Sequence, residues 1–514
     1  MDRVTSDLRA AGYELRETHI SRVLLGQDRV YKLKKPVQFG FLDFSSLALR
    51  KAACEAEVAL NRRLAPDVYL GVVPVTRDAS GHHRCNGEGQ VVEWAVEMLR
   101  LADEDTAEAH LARGELTKKS LSELACLLAT FHRSCRSDEF TAAFGSVARI
   151  RANVSENFEQ TRHSAPAHVS DQDVREIERY QLAMLEQHSE LFEARARAGY
   201  VRDGHGDLRL EHVYFRGASH GIAIIDCIEF NERFRFADVC ADVAFLTMDL
   251  SWHDRSDLAE WFLAQYARHA CDYGLYPLID FYQSYRAYVR GKVASFLEED
   301  EQALASSKAR AHAQARKYYR LAQAAARPPI RTPSLYVVGG MIASGKTTVC
   351  DALASIWCCP VVDADRARKF LAGVPPEEPL PEAAFAGHYS AAATERVYAA
   401  LLERATMVVA SGRSVIVEAS FRSRDHRRRV RQLAEQLGVP WYFVECRASD
   451  EVTRQRLARR ELGPSVSDGR LALLEDLKRA WEPVDELSDR EHLLIDTTQP
   501  PGNNIARIRA WVGD

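Results

Sequence analysis

Two groups of residues in this 514-residue chain have types and spacings suited to phosphate chemistry. The first is His205-Gly206-Asp207-Leu208, followed by Asp226 at the end of the apolar run Ile222-Ala223-Ile224-Ile225. Transfer of a γ-phosphoryl group needs a residue that orients the acceptor hydroxyl, a carboxylate that holds a divalent cation, and a positive charge on the α- and β-phosphates. Asp207, Asp226 and Lys32 have these types in that order, and Glu57 on the following helical stretch is the carboxylate that would fix the lysine. Lys34 lies on the same strand face as Lys32 and is the alternative anchor.

The second group is Gly340-Met341-Ile342-Ala343-Ser344-Gly345-Lys346-Thr347, a gapless G-x-x-x-x-G-K-T between the apolar run Leu335-Tyr336-Val337-Val338 and a helical pattern. Loop and helix N-terminal amides in that context cradle phosphate, so Gly340, Ala343, Ser344, Gly345 and Thr348 are expected nucleotide contacts. Lys346 reaches the β- and γ-oxygens, and Thr347 holds magnesium. Asp365 and Arg368 follow one helical turn apart, a spacing that lets a carboxylate activate an acceptor hydroxyl while a guanidinium holds the acceptor. Glu418 ends the strand-like Ser414-Val415-Ile416-Val417, where an acid sits near the metal. Arg456 and Arg460 share a helix face and are expected to close over the phosphates as a lid. Asp363, beside an apolar strand, reads as a cap.

These residues need scaffolds. Residues 20–98 alternate strand-like runs (Arg29 to Lys34, Val91 to Leu99) around one helical stretch, Leu47 to Leu64, and predict a small sheet with one helix. Residues 116–320 are mainly helical, interrupted by the loop carrying Asp207. The segment from Ala322 to Pro333 carries three prolines and cannot continue a helix, which makes it the boundary. Beyond it, strands at 335–338, 414–417 and 441–444 alternate with helical patterns, as in a parallel sheet with crossover helices.

HGDLRLEHV, IIDCIEFN and FADVCADVAFL resemble the aminoglycoside phosphotransferase family, within the protein-kinase-like fold, over roughly residues 20–320. That resemblance implies an α+β two-lobed domain with nucleotide in a cleft and a hinge near Glu97-Met98-Leu99. It assigns Asp207 as catalytic base, Asp226 as metal ligand, and Lys32 with Glu57 as the phosphate anchor. Asp238 and Asp242 match a later acidic pair that is structural in the family. The family's second metal ligand is an asparagine, and His212 stands there; imidazole suits softer ions than magnesium, unless Glu211 or Glu229 compensates. Residues 335–500 resemble compact P-loop kinases of the gluconate-kinase, chloramphenicol-phosphotransferase and zeta-toxin types and the kinase domain of polynucleotide 5′-kinases. The tandem pairing resembles a bacterial family of predicted bifunctional kinases. The expected fold is therefore a two-lobed kinase-like domain (1–98 and 99–325), a linker (326–334) and an α/β P-loop domain with a parallel sheet (335–514).

Net charge is −5, from 68 Lys and Arg against 73 Asp and Glu, which recommends neither nucleic acid nor an anionic membrane as a general partner. The N-terminal segment lacks a signal-peptide core and no apolar run approaches a membrane span, so a cytoplasmic protein without membrane association is expected. The 11 cysteines lack C-x-x-C spacing and read as buried hydrophobes.

The leading expectation is a bifunctional kinase that uses magnesium and ATP or GTP to phosphorylate hydroxyls of small molecules such as sugars, aminoglycoside-like compounds or nucleosides. Two alternatives stand beside it. In one, the P-loop half phosphorylates a nucleic-acid 5′-hydroxyl end, served by Arg422, Arg424, Arg427, Arg428, Arg429 and Arg431. In the other, the N-terminal half is a silent nucleotide sensor controlling the P-loop enzyme. The acidic run Glu298-Glu299-Asp300-Glu301 would suit a cationic acceptor but reads first as a solvated helix end.

Overall fold

The computed structural model describes residues 2–514 apart from 40–41, 218, 302–303, 328–331, 377, 381, 383–384, 461–465 and 468. The prolines Pro328 and Pro329 of the expected boundary lie outside the described residues. The chain forms two compact units, one of Met1–Ser120, Leu127–Asp254 and Phe281–Ala326, the other of Leu121–Cys126, Arg255–Asp280 and Arg327–Asp514.

In the first unit, Glu14–Glu17, Ser21–Leu25, Arg29–Lys34, Tyr69–Arg77, His83–Cys85 and Gln90–Leu99 form a six-stranded antiparallel sheet. Arg29–Lys34 and Gln90–Leu99 are neighbours at its centre, with Lys32 opposite Val96. Helix Leu47–Asn61 begins at Ser46, whose side chain accepts the Leu49 amide. It stops before Leu64 because Pro66 disfavours helical backbone at Ala65. Its buried face, Arg50, Cys54, Glu57, Val58 and Asn61, recurs at helical spacing and packs on Val30, Tyr69, Val96 and Met98. That packing carries the Glu57 carboxylate into the sheet core, where only a buried cation can balance it.

The helical part holds the loop that carries Asp207. Helix Val239–Trp252 is buried almost throughout, and its first turn presents two acids. Asp238 caps it by accepting the Cys240 amide at 2.9 Å and takes a two-pronged ion pair from Arg195 at 2.7 and 2.8 Å. Asp242 accepts the backbone amides of His205 at 2.7 Å and Gly206 at 2.9 Å. Asp242→Ala would leave both amides buried without acceptors, so we expect a loss of about 2–5 kcal/mol in unfolding free energy, read by urea denaturation.

In the second unit, Val361–Asp363, Val415–Glu418, Leu335–Gly340, Trp441–Arg447 and His492–Asp496 lie in that order in a five-stranded, all-parallel sheet. His492–Asp496 is an edge strand whose short apolar run, Leu493-Leu494-Ile495, does not signal a strand by itself. Segment 255–280 belongs to this unit by its contacts. Arg413 holds Glu260 at 2.8 Å and Asp280 at 2.8 Å, and the Tyr273 hydroxyl donates to the Val361 carbonyl. All 11 cysteines are free thiols, and no helix of the described residues is long and apolar enough to cross a membrane.

Candidate functional site

Two candidate sites are present, one in each unit. In the first, the central strand places Lys32 Nζ 2.6 Å from Asp226 Oδ1 and 2.8 Å from Glu57 Oε1. Lys34, two residues on, is fully buried and bridges Glu57 at 2.5 Å to Glu229. The two lysines therefore divide the work: Lys34 pairs with the buried acids Glu57 and Glu229, and Lys32 meets the partly exposed carboxylate of Asp226. Burial alone would raise the carboxyls of Glu57 and Asp226, but the adjacent lysines hold both below the usual carboxylate range. Glu229 goes the other way, raised by burial with Glu57 close by.

His205 is a structural residue of the loop. Fully buried, it contacts the Ile225 carbonyl at 3.0 Å through Nε2, and burial pushes its pKa down to about 4, so it stays neutral. Gly206 takes φ +87°, and a Cβ there would stand 2.8 Å from the Phe234 carbonyl oxygen, so the turn before Asp207 needs glycine. Asp207 receives the Arg209 guanidinium at 3.1 and 2.9 Å, which holds its carboxyl down against the opposing effect of burial. Arg209 was not foreseen from the sequence, because a charged residue two positions after Asp207 could equally face solvent.

His212 sits between the two acids. Its Nδ1 lies 2.8 Å from the Asp207 carbonyl oxygen, a contact that requires Nδ1–H to donate, and Nε2 then accepts from Arg209 Nη2 at 3.4 Å and lies 3.6 Å from Asp226 Oδ2. A carboxylate oxygen and an imidazole nitrogen at that separation fit a divalent cation, which Asp226 and His212 would hold once the Arg209 contact is given up. The two neighbouring carboxylates are already engaged, Glu229 with Lys34 and Glu211 with Arg209. A His212→Asn variant is therefore expected to lower the ratio of manganese- to magnesium-supported turnover several-fold at this site, read as initial rates in each metal. Glu97 and Met98 lie within the ladder of strand Gln90–Leu99; Met98 is in the core, and the Glu97 carboxylate accepts the Tyr31 hydroxyl at 3.1 Å.

The second site forms where strand Leu335–Gly340 turns into helix Lys346–Trp357. Gly340 has φ +141°, and a Cβ on it would meet the Cys446 carbonyl oxygen at 2.4 Å; Ala343 and Gly345 also take positive φ. This backbone turns amides inward around a cavity of about 700 Å³ lined by Lys346, Thr347, Asp365, Arg368, Glu418 and Arg268 among others. Thr348 also lines it. Lys346 Nζ donates to the loop carbonyls of Gly340 at 3.1 Å and Met341 at 2.7 Å. Thr347 Oγ1 donates to Glu418 Oε1 at 2.6 Å.

Among the residues lining this cavity, Arg368 Nε and Asp363 Oδ2 are buried without hydrogen-bond partners, Asp363 Oδ2 lying 3.5 Å from Arg268 and 3.6 Å from Arg366. An unsatisfied guanidinium nitrogen beside buried carboxylates and the Lys346 ammonium fits a ligand that brings both negative charge and a cation. Thr347 and Glu418 would hold that cation. Burial, with Asp363 adding, pushes the Glu418 carboxyl up to about 7, and the same two causes raise Asp365. Asp363 itself caps helix Ala364–Ala372 by accepting the Arg366 amide at 2.8 Å.

The raised Glu418 has a pH signature. Between its ordinary 4.5 and about 7 the folded chain holds a proton that the unfolded chain has lost, so stability falls as pH rises through that window. His205 contributes with the opposite slope between about 4 and 6.5, so the comparison is a difference: wild type minus Glu418→Gln should lose on the order of 2 kcal/mol of unfolding free energy between pH 5 and 8 by denaturant titration.

Arg368 stacks on the Tyr389 ring at 4.4 Å and donates to the His388 carbonyl. Arg456 Nη1 donates to the Ala343 carbonyl at 3.1 Å, and Nη2 to the Thr497 carbonyl at 2.7 Å, so this arginine braces the phosphate loop. Arg460 ends its helix, and its side chain lies outside the described residues. Arg268, remote in sequence and missed for that reason, reaches Asp351 at 2.6 Å and Asp363 Oδ2 at 3.5 Å. In the arginine-rich stretch, Arg424, Arg427, Arg428, Arg429 and Arg431 are each ion-paired to carboxylates, and Arg422 lines the cavity over the Phe385 ring.

The fold and the two sites place the chain in the kinase class, a kinase-like unit joined to a nucleotide-binding P-loop unit with a five-stranded parallel sheet. In sequence it matches the proteins named Uncharacterized protein Rv2004c of Mycobacterium tuberculosis and Uncharacterized protein Mb2027c of Mycobacterium bovis, each 30% identical over 482 residues, 93% of this chain and 93% of the relative. The chain belongs to their family. The AAA domain family matches residues 335–484. Among solved structures, a sugar kinase from Janibacter sp. is similar at 22% identity over 36% of this chain and 95% of its own, with a TM-score of 0.28. Aminoglycoside 2′-phosphotransferase-IIIa in its GDP complex is similar at 12% identity over 62% of this chain and 97% of its own, with a TM-score of 0.37.

Proposed function

We propose that the chain is a two-site phosphotransferase, each site moving the γ-phosphoryl group of ATP or GTP onto a hydroxyl of a small molecule. The observation that supports this most is the convergence of Lys346, Thr347, Glu418, Asp365 and Arg368 on one cavity. Lys346, released from the loop carbonyls it now contacts, binds the β- and γ-oxygens. Asp365, whose carboxyl burial and Asp363 raise, takes the proton of the acceptor hydroxyl. Arg368, preorganised on Tyr389, holds the acceptor. A magnesium ion at Thr347 and Glu418 would offset the negative charge of the transferred group. In the first unit, Lys32 grips the α- and β-phosphates and Asp207 orients the acceptor hydroxyl.

The preferred acceptors are sugars, aminoglycoside-like compounds and nucleosides. Ion pairing of most of the 424–431 arginines argues against a nucleic-acid channel there. The sensor reading of the first unit draws support from one contact, the two-pronged hold of Arg209 on Asp207, which occupies the carboxylate that must meet the hydroxyl. The test is a transfer assay with γ-labelled ATP and GTP against sugars, aminoglycosides, nucleosides and a 5′-hydroxyl oligonucleotide. Label on small acceptors supports the proposal, label on the oligonucleotide alone overturns its choice of acceptor, and no transfer with any acceptor overturns the reading.

A further inference from the structure

Away from both phosphate sites, three separate segments of the first unit bring His168, Glu298 and His312 together. His168 follows the short turn Ala165–Ala167, Glu298 lies in the last turn of helix Tyr276–Glu299, and His312 lies on helix Ala305–Ala325. His168 Nε2 is 3.3 Å from Glu298 Oε2, and His312 Nδ1 is 3.0 Å from Glu298 Oε1. The two imidazole rings are 4.8 Å apart, and one ligand atom from each residue lies within 4.8 Å of the others.

The bland account is a glutamate that accepts from two histidines at a helix end. His168 is only 7% exposed, and its Nδ1 is buried with no hydrogen-bond partner. An ion at Nε2 would keep the proton on that Nδ1, so what distinguishes a metal site from the bland account is the convergence of three ligand atoms within 4.8 Å of one another. The site also borders a cavity of about 420 Å³ lined by His168, His312, Asp173, Arg316, Arg320 and Gln323, with room for water or a small anion.

We propose that His168, Glu298 and His312 form a zinc-type transition-metal site whose remaining coordination position opens to this cavity. Two imidazoles and one carboxylate are donors for a borderline cation and unsuited to magnesium. A tetrahedral ion with bonds of about 2.0–2.1 Å sets its ligand atoms about 3.3 Å apart, close to the separations Glu298 already makes with both histidines. The arginines on the cavity, Arg316 and Arg320, favour water, hydroxide or an anion in the open position over a second cation. The bound ion would tie helix Tyr276–Glu299 to helix Ala305–Ala325 and to the His168 turn, and so stabilise the folded chain by linkage. None of these residues takes part in the phosphotransfer reading, so the inference stands or falls apart from it.

The experiment uses the full-length, untagged chain, stripped with chelator and titrated with zinc by calorimetry, alongside thermal unfolding with and without zinc and visible spectra with cobalt. The variants are His312→Ala, Glu298→Gln as a near-isosteric second, and His163→Ala as an exposed control. Wild type and His163→Ala are expected to bind one zinc with the same affinity and to gain thermal stability from it. His312→Ala and Glu298→Gln should lose at least tenfold in that affinity and lose the zinc-dependent thermal shift. Wild-type affinity in both variants, absence of zinc binding to wild type, or a cobalt spectrum with thiolate charge-transfer bands would each overturn the site.

Discussion

Lys346→Ala is expected to lower phosphoryl transfer at the P-loop site by about 10²–10³-fold, with the fold of the second unit intact. The lysine is half-buried at the start of helix Lys346–Trp357, and its ammonium contacts only loop carbonyls, so its removal opens no core cavity. What is lost is an ammonium at the mouth of the loop that can follow charge onto the γ-oxygens as it develops. Thermal unfolding of the variant without nucleotide should match wild type, while the stabilisation by added ATP or GTP should shrink. A transfer rate within threefold of wild type for every acceptor would remove Lys346 from the reaction.

Asp207→Ala is the second large effect, about 10²–10⁴-fold on any phosphorylation carried out by the first unit. Its interpretation depends on Arg209, which must leave Asp207 before a hydroxyl can take its place. Arg209 already pairs with Glu211 through Nη1, so the release gives up one ion pair and keeps the other. If Asp207→Ala silences one acceptor and Lys346→Ala silences another, two enzymes share the chain. If Asp207→Ala leaves every activity unchanged, the first unit is a sensor and Arg209 is a permanent lock.

Local sequence made much of this readable. The P-loop was legible because its function resides in backbone geometry: Gly340 and Gly345 occupy φ values that side chains resist, and the apolar strand and helix on either side are contiguous with it. Asp207 and Asp226 were legible from their order in the chain around the strand Ile222–Ile224, whereas alternation placed Lys32 and Lys34 on one strand face and could not choose between them. The strand His492–Asp496 escaped notice, since its apolar run is only Leu493-Leu494-Ile495 and it takes its structure from pairing with Trp441–Arg447.

What sequence alone determined was therefore the inventory of short motifs, their order, and the alternation of strands and helices that supports them. Tertiary structure decided which charges meet. Whether Lys32 or Lys34 faced Asp226 depended on where helix Leu47–Asn61 sets Glu57; whether the arginines after Glu418 formed a basic channel depended on the acids packed against them. The coming together of Arg268 with Asp363, and of His168 with Glu298 and His312, likewise required residues far apart in the chain. The reason is physical: backbone propensity and side-chain alternation act over a few residues, whereas the cost of burying a charge is settled only by the partner that folding brings to it.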